Sequence, residues 1–368
     1  MFQIPKSIEE ATLFNRYQQL TMPSGALDSL LKPALKIQAQ RKSNSTGALS
    51  PAILLFAGDH AVARNHRVSA YPTEVTPQMV VNIVRGGAAI SCLARNRGAK
   101  LSVYDVGVAA GFDELLNSAK GSKVEFFREN LNHKFPGQGF EFGSRDTTVT
   151  AALSLEAHEH CFQVGAQAAQ RLISETSADF LVLGEMGIGN TTPASAIASV
   201  VLGRAPEHCV GPGTGLDESG LSHKQQILKK VVSRANSQLA ALSCSELERA
   251  HALLQQVGGA ELSALAGAAW QAALLGTFVL LDGLIVTSAI APLALADKAF
   301  AAWLMASHQS AEPIHKSLLA SLGLVPLLDL NLRLGEGSGA ALAAGLLQDA
   351  DCLLREMATF ASAGVSSN

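Results

Sequence analysis

The sequence predicts an α/β fold, a mostly parallel sheet with helices on both faces. Three observations predict it. Short apolar runs alternate with longer alanine- and leucine-rich stretches along most of the 368 residues. The runs are apolar on consecutive positions, as in strands covered on both faces. Each ends in polar residues, at Asp59-His60, Asp105, Glu185, Asp282 and Ser307-His308. Ligands of such sheets collect beyond the carboxyl ends of the strands.

The elements follow in order. Residues 1–40 read as amphipathic helix broken at Pro23-Ser24-Gly25, and 41–50 as a polar loop. A first strand spans 52–57, a helix 76–96 and a second strand 101–107. A long helix at 148–175 leads to a third strand at 180–183. Further strands fall within 277–281 and 303–306, with helices at 224–242, 261–275 and 340–360. No internal repeat is visible beyond this alternation.

Hydrophobic residues make up 48% of the chain, charged residues 16% and aromatic residues 5%. A core of Ala, Leu, Val and Ile suits close packing of helix on sheet. The net charge of −3 contains no block of like charges, which argues against nucleic-acid and membrane-surface partners. The most apolar stretch, 272–295, is interrupted by Gly276, Asp282, Gly283 and Pro292. It falls short of the roughly 20 unbroken apolar residues a membrane span needs. Residues 1–20 lack the apolar segment of a secretory signal. The five cysteines are scattered without a C-x-x-C, as expected of buried, reduced thiols in a cytoplasmic protein.

Two glycine-rich turns each carry one glutamate: 184–192 (GEMGIGNTT) with Glu185, and 335–339 (GEGSG) with Glu336. Each precedes an alanine-rich helical stretch. Glycines let backbone N–H groups approach a ligand, and a helix start favours an anion. A carboxylate beside an anion cradle makes sense when the carboxylate takes a proton while the cradle holds a phosphate. The 184–189 turn is neither a dinucleotide fingerprint nor a P-loop. Its continuation supplies helix-capping candidates in Asn190, Thr191 and Thr192, with Pro193 in the first turn. A third glycine-rich loop, 211–217 (GPGTGLD), precedes Lys224, a cation placed to meet a phosphate or to lie in solvent. For Glu336, apolar surroundings raise a carboxyl pKa and a helix start lowers it. His158 and His160, two apart, point to different faces of a helix and do not form a metal pair.

Together these strings resemble one family. They are Gly58-Asp59-His60, the 185–193 turn (EMGIGNTTP), the 211–215 loop and the 333–340 turn (RLGEGSGA). Lesser matches lie at 257–259, 280–283 and 307–312. The chain is similar over about residues 50–345 to the nicotinate-nucleotide–dimethylbenzimidazole phosphoribosyltransferases of cobalamin lower-ligand assembly. The resemblance implies transfer of phosphoribose from nicotinate mononucleotide to a benzimidazole, giving α-ribazole 5′-phosphate and nicotinate, without metal or other cofactor. It implies Glu336 as the base and Glu185 as a second acid near ribose and nicotinate. Gly187, Gly189, Asn190, Thr191, Gly213, Thr214, Gly215 and Lys224 would hold phosphate and ribose. Tyr71, Gln78, Met79, Met186 and Leu334 would line the aromatic-base site. Tyr71 and Met79 align where family members carry serine and glutamine, so a phenol, a purine or another benzimidazole stays open as acceptor. The implied fold is a Rossmann-like parallel sheet domain, 46–325, with a small helical domain from both chain ends, 1–45 and 326–368. The implied assembly is a homodimer.

Overall fold

A computed structural model describes residues 14–41, 47–109, 123–211 and 215–366. Six strands form one wholly parallel sheet: β1 (Pro51–Gly58), β2 (Lys100–Gly107), β3 (Glu125–Arg128), β4 (Phe180–Met186), β5 (Phe278–Leu281) and β6 (Leu304–Ala306). Their order is β3-β2-β1-β4-β5-β6. The chain builds outward from β1 on one side, then returns to place β4 on its other side. That reversal opens a crevice between the carboxyl ends of β1 and β4. A second parallel pair joins β7 (His308–Ser310) to β8 (Leu328–Leu332).

The central strands are buried along their whole length, which explains their unbroken apolar sequence. The Leu155–Thr176 and Ala260–Leu274 helices pack against each other and against β1 and β2. Their crossing needs glycine: a Cβ on Gly165 or Gly267 would run into a backbone carbonyl of the other helix. Gly58 faces the Ala260–Leu274 helix, whereas Gly184 of β4 faces the start of the Ser338–Glu356 helix. Gly184 pairs with Leu55, three residues from Gly58, so the two contacts lie on opposite faces of the sheet. Both faces are therefore covered by helix.

Several boundaries differ from the sequence reading. The helix expected over 76–96 is two, Val75–Val84 and Ala89–Arg97, parted at Gly86, whose φ is +88°. The long helix begins at Leu155, where the Ser154 side chain accepts from the Ala157 N–H. The helix expected from residue 224 begins at Glu218, capped by Asp217. The Ser338–Glu356 helix stops before the short Phe360–Ala363 helix. Strand β3 and the Glu246–Val257 helix were not legible; β3 is short and half-buried, with only a weak apolar signal.

The first and last described segments meet. The Arg16 guanidinium donates to the carbonyls of Leu354, Arg355 and Met357, and Leu20 bridges to Thr359. The Asp28–Gln40 helix packs on the Ser338–Glu356 helix, which also lies on β4 and β5. The break near Pro23 is present as turns. Cys161 and Cys209 are buried, Cys92 is exposed, and the other two lie between, so burial of all five thiols is not what the fold delivers. No described helix is long and apolar enough to cross a membrane.

Candidate active site

Strand β1 ends in Gly58-Asp59-His60, and β4, beside it, ends in Glu185-Met186. Gly187 then packs so closely on the Gly58 carbonyl that no side chain fits there. His60 is fully buried: its Nε2 meets Glu261 Oε1 at 2.7 Å and its Nδ1 meets Ser144 Oγ at 2.8 Å. Burial pulls the His60 pKa down, but Glu261 and Asp59 outweigh it and the net shift is upward. The Ile188 N–H donates to Thr76 Oγ1 at 3.0 Å, which ties the 187–190 turn to the start of the Val75–Val84 helix. Asp59 accepts from the Ala109 N–H at 3.0 Å, and burial pushes its carboxyl up to about 6.

The two glutamate turns touch. A Cβ on Gly184 would lie 2.5 Å from the Glu336 carbonyl oxygen, and one on Gly335 would lie 2.6 Å from Glu185 Oε1. Gly335, Glu336 and Gly337 all have left-handed backbones, with φ of +86°, +63° and +81°. For the glutamate this conformation is costly and persists only where surrounding structure imposes it. It turns the Glu336 carboxylate toward the Ile90 N–H, at the start of the Ala89–Arg97 helix. The break at Gly86 thus creates a fresh helix start at the base. Glu336 is buried, and its Oε2 has no hydrogen-bond partner. Burial pushes its pKa up, the Ile90 N–H pulls it back, and Asp282 adds to the rise. Of the apolar residues flanking it in sequence, Ala340, Ala341 and Ala343 are buried, whereas Leu330 and Leu334 are both 60% exposed.

Glu185 is buried as well and accepts from the Asn190 side-chain amide. Asn190 therefore does not cap the Thr191–Leu202 helix with its side chain, as its position in sequence suggests; the amide is committed to the carboxylate. Burial raises the Glu185 carboxyl to about 8, against the Asn190 bond, with Asp282, Glu261 and Glu336 adding to the rise. The folded protein thus holds this proton well above the ordinary 4.5, where the unfolded chain has already released it. The stabilisation is complete below 4.5 and is lost as pH rises toward about 8. Glu185→Gln should remove that dependence. Its thermal midpoint relative to the parent should climb between pH 5 and about pH 8; a constant difference across that range would contradict a protonated Glu185.

Thr191 opens the Thr191–Leu202 helix, and Lys224 Nζ donates to its Oγ1 at 2.7 Å. Lys224 is 1% exposed, two turns inside its helix, so the solvated reading of this lysine does not hold. Burial lowers its pKa to about 8, with Glu312 opposing. Gly187, Gly189, Asn190, Thr191 and Lys224 are thus gathered at one strand-to-helix turn. Gly213 and Thr214 lie outside the described residues, and Gly215 borders them in open surroundings. Along the acceptor segment Tyr71 is 51% exposed, Gln78 exposed and Met79 half-buried against the core; Met186 is buried at the end of β4. Glu261, Thr76 and Ile90 were missed in the sequence. Only Glu261 had a local signal, the glycine pair 258–259 before it. His158 is engaged by Ser263 and His251 between helices, and His160 packs edge-on to Phe135.

A parallel sheet with a glycine-lined helix start, a buried lysine and two apposed glutamates sets an anion cradle beside proton-accepting groups, the parts a phosphoribosyl-transfer enzyme requires. A family model described as phosphoribosyltransferase matches residues 4–365. The nicotinate-nucleotide–dimethylbenzimidazole phosphoribosyltransferase of Pseudomonas putida KT2440 is 42% identical over 355 residues, covering 95% of this chain and 92% of that protein. The enzyme of the same name from Chromobacterium violaceum is 41% identical, covering 95% and 94%. The crystal structure of the enzyme of that name from Thermus thermophilus superposes with a TM-score of 0.80 at 35% identity, covering 98% of this chain and 99% of that one. The chain belongs to the nicotinate-nucleotide–dimethylbenzimidazole phosphoribosyltransferase family.

Proposed function

We propose that the protein transfers the 5-phosphoribosyl group of nicotinate mononucleotide to 5,6-dimethylbenzimidazole or a related aromatic base, in assembly of the cobalamin nucleotide loop. The products are α-ribazole 5′-phosphate and nicotinate. The observation that carries this reading is the contact between the Glu185 and Glu336 turns, beside the Thr191–Lys224 pair.

Lys224, Thr191 and the N–H groups of the 187–192 turn, with the 213–215 loop, hold the 5′-phosphate. Glu185 and Asn190 face the ribose and the departing ring. One ring nitrogen of the acceptor attacks C1′ from the face opposite the C1′–nicotinate bond. That bond breaks with its electron pair going to the pyridinium nitrogen, so nicotinate leaves neutral at nitrogen and the β linkage becomes α. Glu336 accepts the proton from the other ring nitrogen. Positioning and proton removal carry the chemistry, and no cofactor takes part. Met186, Tyr71, Gln78, Met79 and Leu334 contribute to the acceptor side.

We infer further that the protein works as a cytoplasmic homodimer. The exposed Leu330 and Leu334, in the segment leading into the base turn, support a partner surface there. Packing of the 14–41 segment on the C-terminal helices supports a small helical domain built from both chain ends.

The test is incubation with nicotinate mononucleotide and a panel of benzimidazoles, phenols and adenine, following nicotinate release and riboside formation. Highest kcat/KM is expected for a benzimidazole. Equal or better turnover of a phenol or adenine would reject the benzimidazole assignment, and no nicotinate release with any acceptor would reject transferase activity.

A further inference from the structure

Asp282 takes no part in the reaction set out above, yet it is bound to the turn that carries the base. It directly follows β5 and is 2% exposed. Its Oδ2 accepts from the Gly337 N–H at 3.2 Å and its Oδ1 from the Ala340 N–H at 2.9 Å. The Ser338–Glu356 helix has a glycine at its N-cap and hence no side-chain cap of its own. Its first N–H groups are satisfied instead by a strand end remote in sequence. The geometry points to Asp282 as a positioning residue for proton transfer, clipping the 335–340 turn to the sheet so that the Glu336 carboxylate is held over the β4 crevice. This rests on Glu336 being the base.

The turn needs such a clip. Three consecutive left-handed residues, one of them a glutamate, do not hold themselves. Gly184 abuts the turn from β4 and the Ile90 N–H meets the carboxylate. Asp282 supplies the third hold, from β5. A carboxylate suits the task better than an amide, because both of its oxygens accept while an amide offers one acceptor and one donor group. Its charge also has a chemical consequence. The groups facing Glu336 are Glu185 from β4, Asp282 from β5 and the Ile90 N–H, with His308 of β7 beneath Gly339 and 3.7 Å from Asp282. Burial and Asp282 keep Glu336 a stronger base than an ordinary carboxylate, against the Ile90 N–H. Asp282 thus couples placement of the base to its strength.

Asp282→Asn and Asp282→Ser test this, with Glu336→Gln as reference. Ser keeps one neutral acceptor in less room and serves where the amide disturbs folding. For each folded variant, kcat at saturating nicotinate mononucleotide should fall roughly tenfold or more, with KM for that substrate within about threefold. The acid limb of the kcat–pH profile should move to lower pH, because removing a neighbouring negative charge makes Glu336 easier to ionise. A simple helix cap would lower the thermal midpoint and leave kcat near the parental value. An unmoved limb, or a loss carried by KM for nicotinate mononucleotide, overturns the proposal. Retained turnover in Glu336→Gln would instead overturn the assignment of the base, so the two failures are separable.

Discussion

Glu336→Gln is expected to lower turnover about 10²–10⁴-fold, the usual contribution of a general base, and to leave binding of the aromatic base and product within a few-fold. The amide keeps the shape of the side chain and can still accept from the Ile90 N–H, so the left-handed turn has the same supports. What it lacks is the capacity to take the acceptor's ring proton. Nicotinate release in a single turnover measures the first effect, and titration calorimetry with α-ribazole 5′-phosphate measures the second. In the parent enzyme kcat should fall as pH drops through a value above the ordinary carboxylate 4.5, since burial raises Glu336 and only its ionised form accepts a proton. Near-parental turnover in the glutamine variant would remove Glu336 from the proton transfer.

Lys224→Ala is expected to weaken nicotinate mononucleotide binding about 30-fold or more, from the roughly 2 kcal/mol or greater cost of losing one partner of a buried charged pair. Binding of the unphosphorylated aromatic base should change little, because the lysine reaches the Thr191 end of the crevice. The same lysine predicts a pH effect. Its pKa in the free protein is lowered to about 8 by burial, and a phosphate needs it charged. Affinity for nicotinate mononucleotide should therefore decline as pH rises through about 8, and that decline should vanish in the alanine variant. Fluorescence or calorimetric titration between pH 7 and 9 measures both. Unchanged affinity in Lys224→Ala would reject its phosphate role.

Much of the architecture was legible because its cause is local. A strand covered on both faces is apolar along most of its length, so β1, β4, β5 and β6 announce themselves as short apolar runs and β2 as one interrupted by Ser102 and Asp105. Polar residues at their ends mark the side where a ligand lies. Strand β3 lacked that signal because it is a four-residue edge strand, half-buried on both faces. The break inside the helix expected over 76–96 depends on the left-handed Gly86, and glycines within a helical pattern do not declare their φ.

The candidate site divides in the same way. The sequence alone determined a parallel α/β sheet, its ligand-bearing end, and two glutamates on glycine-rich turns that open helices. These follow from short-range rules of hydrophobic period, glycine conformation and helix termini. Only the tertiary structure decided that the two turns touch, that Asn190 turns to Glu185 rather than capping its helix, and that Lys224 is buried against Thr191. It also placed Asp282 at the start of the Ser338–Glu356 helix and Ile90 at the Glu336 carboxylate. The strand order brings β1 and β4 side by side although more than a hundred residues separate them. Proton affinity at these glutamates is set by desolvation and by charges from other strands, and both come into being only when the chain closes around them.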